Sequence, residues 1–300
     1  MHSWRDSTKS QYIVYIKKFL DFLHEQGASS PDLNTGLTFL TTLFNQGCSY
    51  HQIVSARSAL SSLIDLHNAT GITFGHHPLV KRFVKGVFEM RPVFTKYRSV
   101  WDVRLLFDYF RNLDHATNAT LKLLGKKLAL LIAVLSGGQR IQTLHAINVL
   151  DIKILPGKCV IPIYDKLKQT RPKHHLKPLE FPVYLREPKL CVVQTLKDYL
   201  EVTRPFRKHS KLFLSYHQPH APVTKDTIAR WCKELMHGAG INTNVYSSHS
   251  SRSAATSYLD VKGVSLKDIC ASAGWSSEQT FARHYKRTIE NFNVMDTILC

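Results

Sequence analysis

The segment from Ser247 to Arg287 constrains this chain more than any other, because Gly263 and Gly274 divide it into three short helices. Ser248 stands just before an apolar-periodic run and serves as an N-cap, which places His249 and Arg252 three apart on one helical face. Both side chains then reach toward the same point. Ala254, Ala255, Tyr258 and Leu259 face inward, and Gly263 supplies the left-handed conformation that ends a helix. Ser265 with Asp268 has the form of a capping box, and Leu266, Ile269 and Cys270 give the second helix its buried face as far as Gly274. Ser276 or Ser277 caps the third, with Phe281 facing in and Tyr285 one turn further along the same helix.

Taken singly, a His, an Arg or a Trp in such a segment is a cap, a surface group or core. Taken jointly, Arg, His, Trp and Tyr are what an attack on a phosphodiester without a metal requires. The arginine fork matches two phosphate oxygens, stays charged and favours the negative charge of a five-coordinate phosphorus, which lysine does less well. A tyrosine hydroxyl titrates near ~10 in water, and neighbouring guanidinium charges favour its phenolate. Upstream, LALLIAVLSGGQRIQTLHAINVLDI carries a buried helical run from Leu128 to Leu135, a turn at Gly137 and Gly138, and then Arg140, which opens a helix with Ile141 and Leu144. After Asp151 the period changes to two. Val160, Ile161 and Ile163 read as one strand and Leu179, Phe181 and Val183 as its return, around a basic turn.

In order and spacing, His249, Arg252, Trp275 and Tyr285 resemble the catalytic end of the tyrosine recombinases, the phage integrase family. Arg140 resembles the arginine of that family's T-G-x-R-x-x-E-L motif, with an extra glycine before it and Thr143 where an acidic residue often stands. The partner of Arg140 therefore stays open. The resemblance implies that Tyr285 is the nucleophile, that Arg140 and Arg252 clamp the scissile phosphate, and that His249 and Trp275 support them. It also implies a hairpin lysine that protonates the leaving 5′ oxygen: Lys168, within Lys168-Gln169-Thr170, with Lys166 as the alternative. The implied chemistry uses neither a cofactor, a metal nor ATP, and passes through a 3′-phosphotyrosyl link and a Holliday junction. The implied assembly is a homo-tetramer on two DNA sites. GQRIQTL and GWSSEQTF…YKR, with Tyr285 ten positions after Trp275, resemble the recombinases of eukaryotic mobile elements of the DIRS-like, Ngaro and Crypton groups, which implies action in the nucleus.

The formal charge of +18, from 40 Lys+Arg against 22 Asp+Glu, is that of a polyanion binder, and double-stranded DNA is the expected partner. A membrane is disfavoured: no run of about 18 apolar residues occurs, and the basic residues are spread along the chain. Six cysteines without C-x-x-C spacing argue against a zinc module or a disulfide framework. The expected fold is mainly α with one small antiparallel sheet. A helical, SAM-like core-binding domain over 1–90 precedes a linker over 91–98, the catalytic domain over 99–289 and a tail over 290–300. The tail either docks on a neighbouring protomer or caps its own. Helices are expected over 7–26, 34–46, 50–70 and 78–89, with Tyr12, Tyr15, Phe19 and Phe22 as a core stripe. Others are expected over 102–113, 190–203 and 224–238. Arg57, Lys81, Arg82, Lys166 and Lys173 are the candidate DNA contacts beyond the catalytic set. Three further functions remain open: a type IB topoisomerase, a DNA-binding descendant without catalysis, and a protein-interaction role in which the charge is incidental.

Overall fold

The computed structural model describes residues 4–28, 30–67, 71–113, 120–172 and 175–290. The chain divides into two compact units, 1–94 and 95–300, each with its own core.

The first unit is helical. Helices α1 (Asp6–Glu25), α2 (Leu33–Asn45), α3 (Tyr50–His67) and α4 (Pro78–Met90) enclose Phe19, Phe39, Leu40, Ile53, Leu60 and Val80. Their ends follow from local chemistry. Asp32 and Thr35 form a reciprocal capping box at α2, Ser49 and Gln52 form another at α3, and Pro78 occupies the first turn of α4, where its missing N–H costs nothing. Of the aromatic stripe on α1, Phe19 is fully buried, Tyr15 and Phe22 flank the core, and Tyr12 instead packs edge-on against Trp4. A stripe spanning three turns outruns the core of a four-helix unit.

The second unit is built around α6 (Leu121–Leu135), whose residues from Leu124 to Val134 are all buried. A helix buried on every side is central, and it takes two lysines, Lys126 and Lys127, into the interior, Lys126 paired with Glu234. Helix α5 (Val103–Asn112) packs on α9 (Lys225–Gly238) and α10 (Ser250–Val261), and these two pack against α6 together with α7 (Ile141–Ala146) and α8 (Val192–Thr203). Leu128, Leu131 and Ile132 are wholly enclosed, each contributing about 1.5–3 kcal/mol of hydrophobic stabilisation. The antiparallel sheet has three strands in the order β2 (Lys153–Leu155), β3 (Lys158–Ile161), β4 (Leu179–Pro182). Cys159 pairs with Phe181 and Ile161 with Leu179 on the buried face. Val160 thus points away from the core, because side chains alternate along a strand. Strand β2 lies outside the two strands expected; all three of its residues are exposed, so it carries no alternation to read.

The remaining helices, α11 (Leu266–Ala273) and α12 (Glu278–His284), follow α10 as a separate small cluster around Ile269, Ala273, Trp275 and Phe281. The glycines at Gly263 and Gly274 have φ of +78° and +70° and end α10 and α11 as expected. Immediately after Tyr285 the chain runs into β5 (Thr288–Ile289), which pairs in parallel with β1 (Ser99–Val100). Among the described residues no helix is long and apolar enough to cross a membrane. Residues 291–300 of the expected tail lie outside the described residues.

Candidate active site

Arg252 is the centre of the site and is only 1 % exposed. Its Nη1 donates to the carbonyl of Gly138 at 2.5 Å and its Nη2 to that of Ala273 at 3.1 Å. Its guanidinium carbon lies 4.9 Å from the ring centre of Trp275 and 5.3 Å from that of Tyr285. Burial and the charge of Arg140 pull its pKa down to about 10, against the opposing effect of Tyr285, so it remains a cation at neutral pH.

The glycine pair makes this placement possible. Gly137 and Gly138 have φ of +78° and +85°. A Cβ on Gly138 would lie 3.0 Å from the Cα of Arg252, and one on Gly137 would lie 2.3 Å from the Oγ of Ser272. The turn therefore packs backbone to backbone against α10, with its carbonyl aimed at the guanidinium.

Helix α10 begins one residue later than expected. His249, not Ser248, is the N-cap, and no side chain caps it, because the hydroxyls of Ser250 and Ser251 bond back to the carbonyls of Ser247 and Ser248. His249 still has helical dihedrals, so it keeps its place one turn before Arg252. Its pKa falls to about 4 through burial and through the charges of Arg252, Arg140, Lys168 and Lys96. The residue lies at the exposed edge of the site, where the four cations oppose a further positive charge. At neutral pH the imidazole is uncharged.

Tyr285 is the residue that ends α12, not one inside it. Its backbone N–H donates to Phe281 at 2.8 Å and its carbonyl accepts from the hydroxyl of Ser257 at 3.1 Å, which fixes it against α10. Its ring is half-buried, 4.4 Å from that of Trp275 and 6.1 Å from that of His249. Trp275 in turn stacks on Phe281 at 5.8 Å, joining the wall of the site to the small core beneath.

Arg140 is the N-cap residue of α7, and its Nη1 donates to Oε1 of Gln169 at 2.8 Å. Thr143 does not serve it, since the threonine hydroxyl donates to Gln139 at 3.2 Å. Lys168 has an exposed side chain on the turn before Gln169, and its backbone N–H donates to Gln142 at 3.1 Å. Its charge bears on His249.

The structure thus brings Arg140, Lys168, His249, Arg252, Trp275 and Tyr285 to one place, together with Gln169 and Lys96, which sequence reasoning missed. Lys96 stands in the basic stretch before β1, whose charge was visible, and Gln169 sits next to the lysine that was singled out. Three buried donors here have no hydrogen-bond partner: Nε of Arg252, Nε1 of Trp275 and Nε2 of Gln169. In the first unit, Arg57 is half-buried and also keeps an unpartnered Nε, while Lys81 and Arg82 are exposed on α4. Lys173 lies outside the described residues.

Residues 104–291 match the phage integrase family. The chain belongs to that family. Its fold is also that of solved members: a lambda integrase dimer bound to a COC′ core site is 19% identical with a TM-score of 0.59, covering 97% of this chain and 75% of the other. XerH, a site-specific recombinase bound to palindromic difH substrate, is 18% identical with a TM-score of 0.61, covering 92% and 75%. The Tn1549 transposon integrase in complex with transposon right end DNA is 13% identical with a TM-score of 0.57, covering 99% and 92%. A comparison with curated proteins finds no matching relative. As a phage integrase family member, the chain places its glycine turn and Arg140, its hairpin lysine and its terminal tyrosine inside the matched span.

Proposed function

We propose that this chain is a site-specific DNA recombinase that cleaves and rejoins duplex DNA through Tyr285. The observation that carries this is the pair of unpartnered buried donors, Nε of Arg252 and Nε1 of Trp275, beside the phenol ring. A buried donor without an acceptor costs about 1–3 kcal/mol, so two side by side favour an anion that accepts from both. Arg140 and Arg252 add fixed positive charge, which suits a phosphate oxygen better than a carbonyl.

In the proposed reaction the hydroxyl oxygen of Tyr285 attacks the scissile phosphorus as its proton passes to solvent, and the bond to the 5′ oxygen breaks. Lys168 supplies the proton to that oxygen. The 3′-phosphotyrosyl ester keeps the bond energy, and a 5′ hydroxyl from a second strand reverses the step. His249, neutral at physiological pH, serves as a hydrogen-bonding group to the phosphate. The charge a metal would neutralise is met by the two arginines. Exchange through a Holliday junction by four protomers is proposed by analogy with a lambda integrase tetramer solved on such a junction. The resemblance to eukaryotic mobile-element recombinases supports integration or excision of such an element, in the nucleus, as the setting.

The test is to incubate the protein in EDTA with nicked random-sequence duplexes and to look for a denaturant-resistant protein–DNA adduct, with Tyr285→Phe as control. An adduct lost in the variant is the expected result, and sequencing its DNA gives the target. Salt-sensitive binding without any adduct would instead leave a DNA-binding protein without catalysis. Relaxation of a supercoil without transfer between two DNAs would point to topoisomerase chemistry.

A further inference from the structure

The family's acidic residue three places after the arginine is absent here, and Thr143 does not replace its function, because it is buried and bonded to Gln139. What Arg140 meets instead is an amide from the hairpin. Gln169 is 8 % exposed; its Oε1 accepts from Arg140, and its Nε2 is packed beneath Gly274, where a Cβ would come within 3.3 Å of it. No ion pair involves Arg140 among the described residues. The turn itself is closed by two bonds between Leu167 and Thr170, at 2.9 and 3.0 Å, and fastened to α7 at the N–H of Lys168 by Gln142. Two residues of the α7 start, Arg140 and Gln142, thus hold one lysine-bearing turn from both sides.

We propose that Gln169 is a positioning residue that fixes the guanidinium of Arg140 and ties it to the turn carrying Lys168. It rests on the recombinase function argued above. A carboxylate in this place would orient the arginine and also cancel much of its charge; an amide orients it and leaves the charge for the phosphate. The charge of Arg140 is felt at both His249 and Arg252. The phosphate clamp and the proton donor become a single unit, because a shift of Gln169 moves both.

Two measurements test this. The first is the rate of adduct formation on nicked duplex. Gln169→Met, similar in volume but without the acceptor, is expected to slow it by about 10- to 100-fold, since small displacements of a clamp carry losses of that order. In an Arg140→Lys background the same substitution is expected to cost less than about twofold more, because Gln169 acts through the arginine. An equal further loss in that background, or a wild-type rate in Gln169→Met, overturns the proposal. The second is the arginine side-chain nitrogen spectrum, which needs no catalysis. The Nη signals of Arg140, assigned by Arg140→Lys, should be resolved in wild type and in Gln169→Glu, which keeps the acceptor, and should collapse in Gln169→Met while those of Arg252 persist. Arg140 signals indifferent to Gln169→Met overturn the proposal even if the wild type makes no adduct. Absence of the adduct in wild type, by contrast, counts against the recombinase function alone.

Discussion

At the scale of single residues, Arg252 is the position whose loss has the plainest consequence. One side chain serves two carbonyls and keeps Nε for a third acceptor, a fan of directions that only a guanidinium spans. Arg252→Lys is expected to reduce adduct formation by at least about 100-fold, a loss of roughly 3 kcal/mol at the transition state. It should also lower the urea midpoint, because a buried carbonyl left unpaired costs about 1–3 kcal/mol. A variant with near-normal adduct yield would remove Arg252 from the mechanism. His249 gives a second prediction, in pH. Its folded pKa lies below the ordinary value, so the stability it contributes is fully present above about 6.5 and is lost as pH falls from there through about 4. A phosphate in the site adds negative charge and favours the imidazolium, so the titration of His249 followed by NMR should move upward when DNA binds. Movement downward, or none, would separate this histidine from the phosphate. The members of the cluster legible in the sequence, Arg140, Lys168, His249, Arg252, Trp275 and Tyr285, were those whose types the proposed phosphoryl chemistry calls for. Gln169 was not, because a neutral amide is as common on an exposed turn as under an arginine, and only the fold says which.

Among elements, the glycine turn before α7 couples folding to chemistry. Gly138→Ala adds a Cβ against the backbone of Arg252, at 3.0 Å from its Cα and 3.1 Å from its carbonyl oxygen, in a conformation alanine avoids. A cost of about 1–3 kcal/mol in unfolding free energy is expected, together with loss of adduct formation as α10 is pushed away. Gly157→Ala, at φ +80° with open space around it, should show the backbone cost alone and keep activity. The clash at Gly137 is with the side chain of Ser272, so Ser272→Gly should recover part of the Gly137→Ala loss and none of the Gly138→Ala loss. Urea unfolding of these variants and the double mutant decides it. Helix ends marked by glycine were legible because the left-handed conformation has few other occupants. The start of α10 was shifted by one, because consecutive serines offer competing hydroxyls, and two of them chose carbonyls behind them. The pairing of Ser99 with Thr288 had no local signal at all; it joins ends of the unit that are far apart in sequence.

For the whole molecule, the charge of +18 is a quantity that the sequence states outright and that folding does not change. Several of the ion pairs among the described residues join two exposed side chains, which water and salt already screen. The excess of cations over anions is available to neutralise phosphates, and counterion release makes that binding strongly dependent on salt. A protein with about 6–10 phosphate contacts loses roughly 10³–10⁵ in affinity between about 50 and 200 mM salt, and a loss of that order is expected here. Lys81→Ala and Arg82→Ala, both exposed on α4, should each reduce the slope of log K against log salt by about one and weaken binding equally on all sequences. Tyr285→Phe should leave that slope where it is, because the phenol carries no phosphate charge, while abolishing the adduct. Fluorescence anisotropy on a labelled duplex across a salt series gives all three slopes at once. Affinity that does not change with salt would mean that the charge is incidental and that the surface serves another protein. A slope that falls with Tyr285→Phe would mean that the adduct itself, and not phosphate neutralisation, holds the DNA.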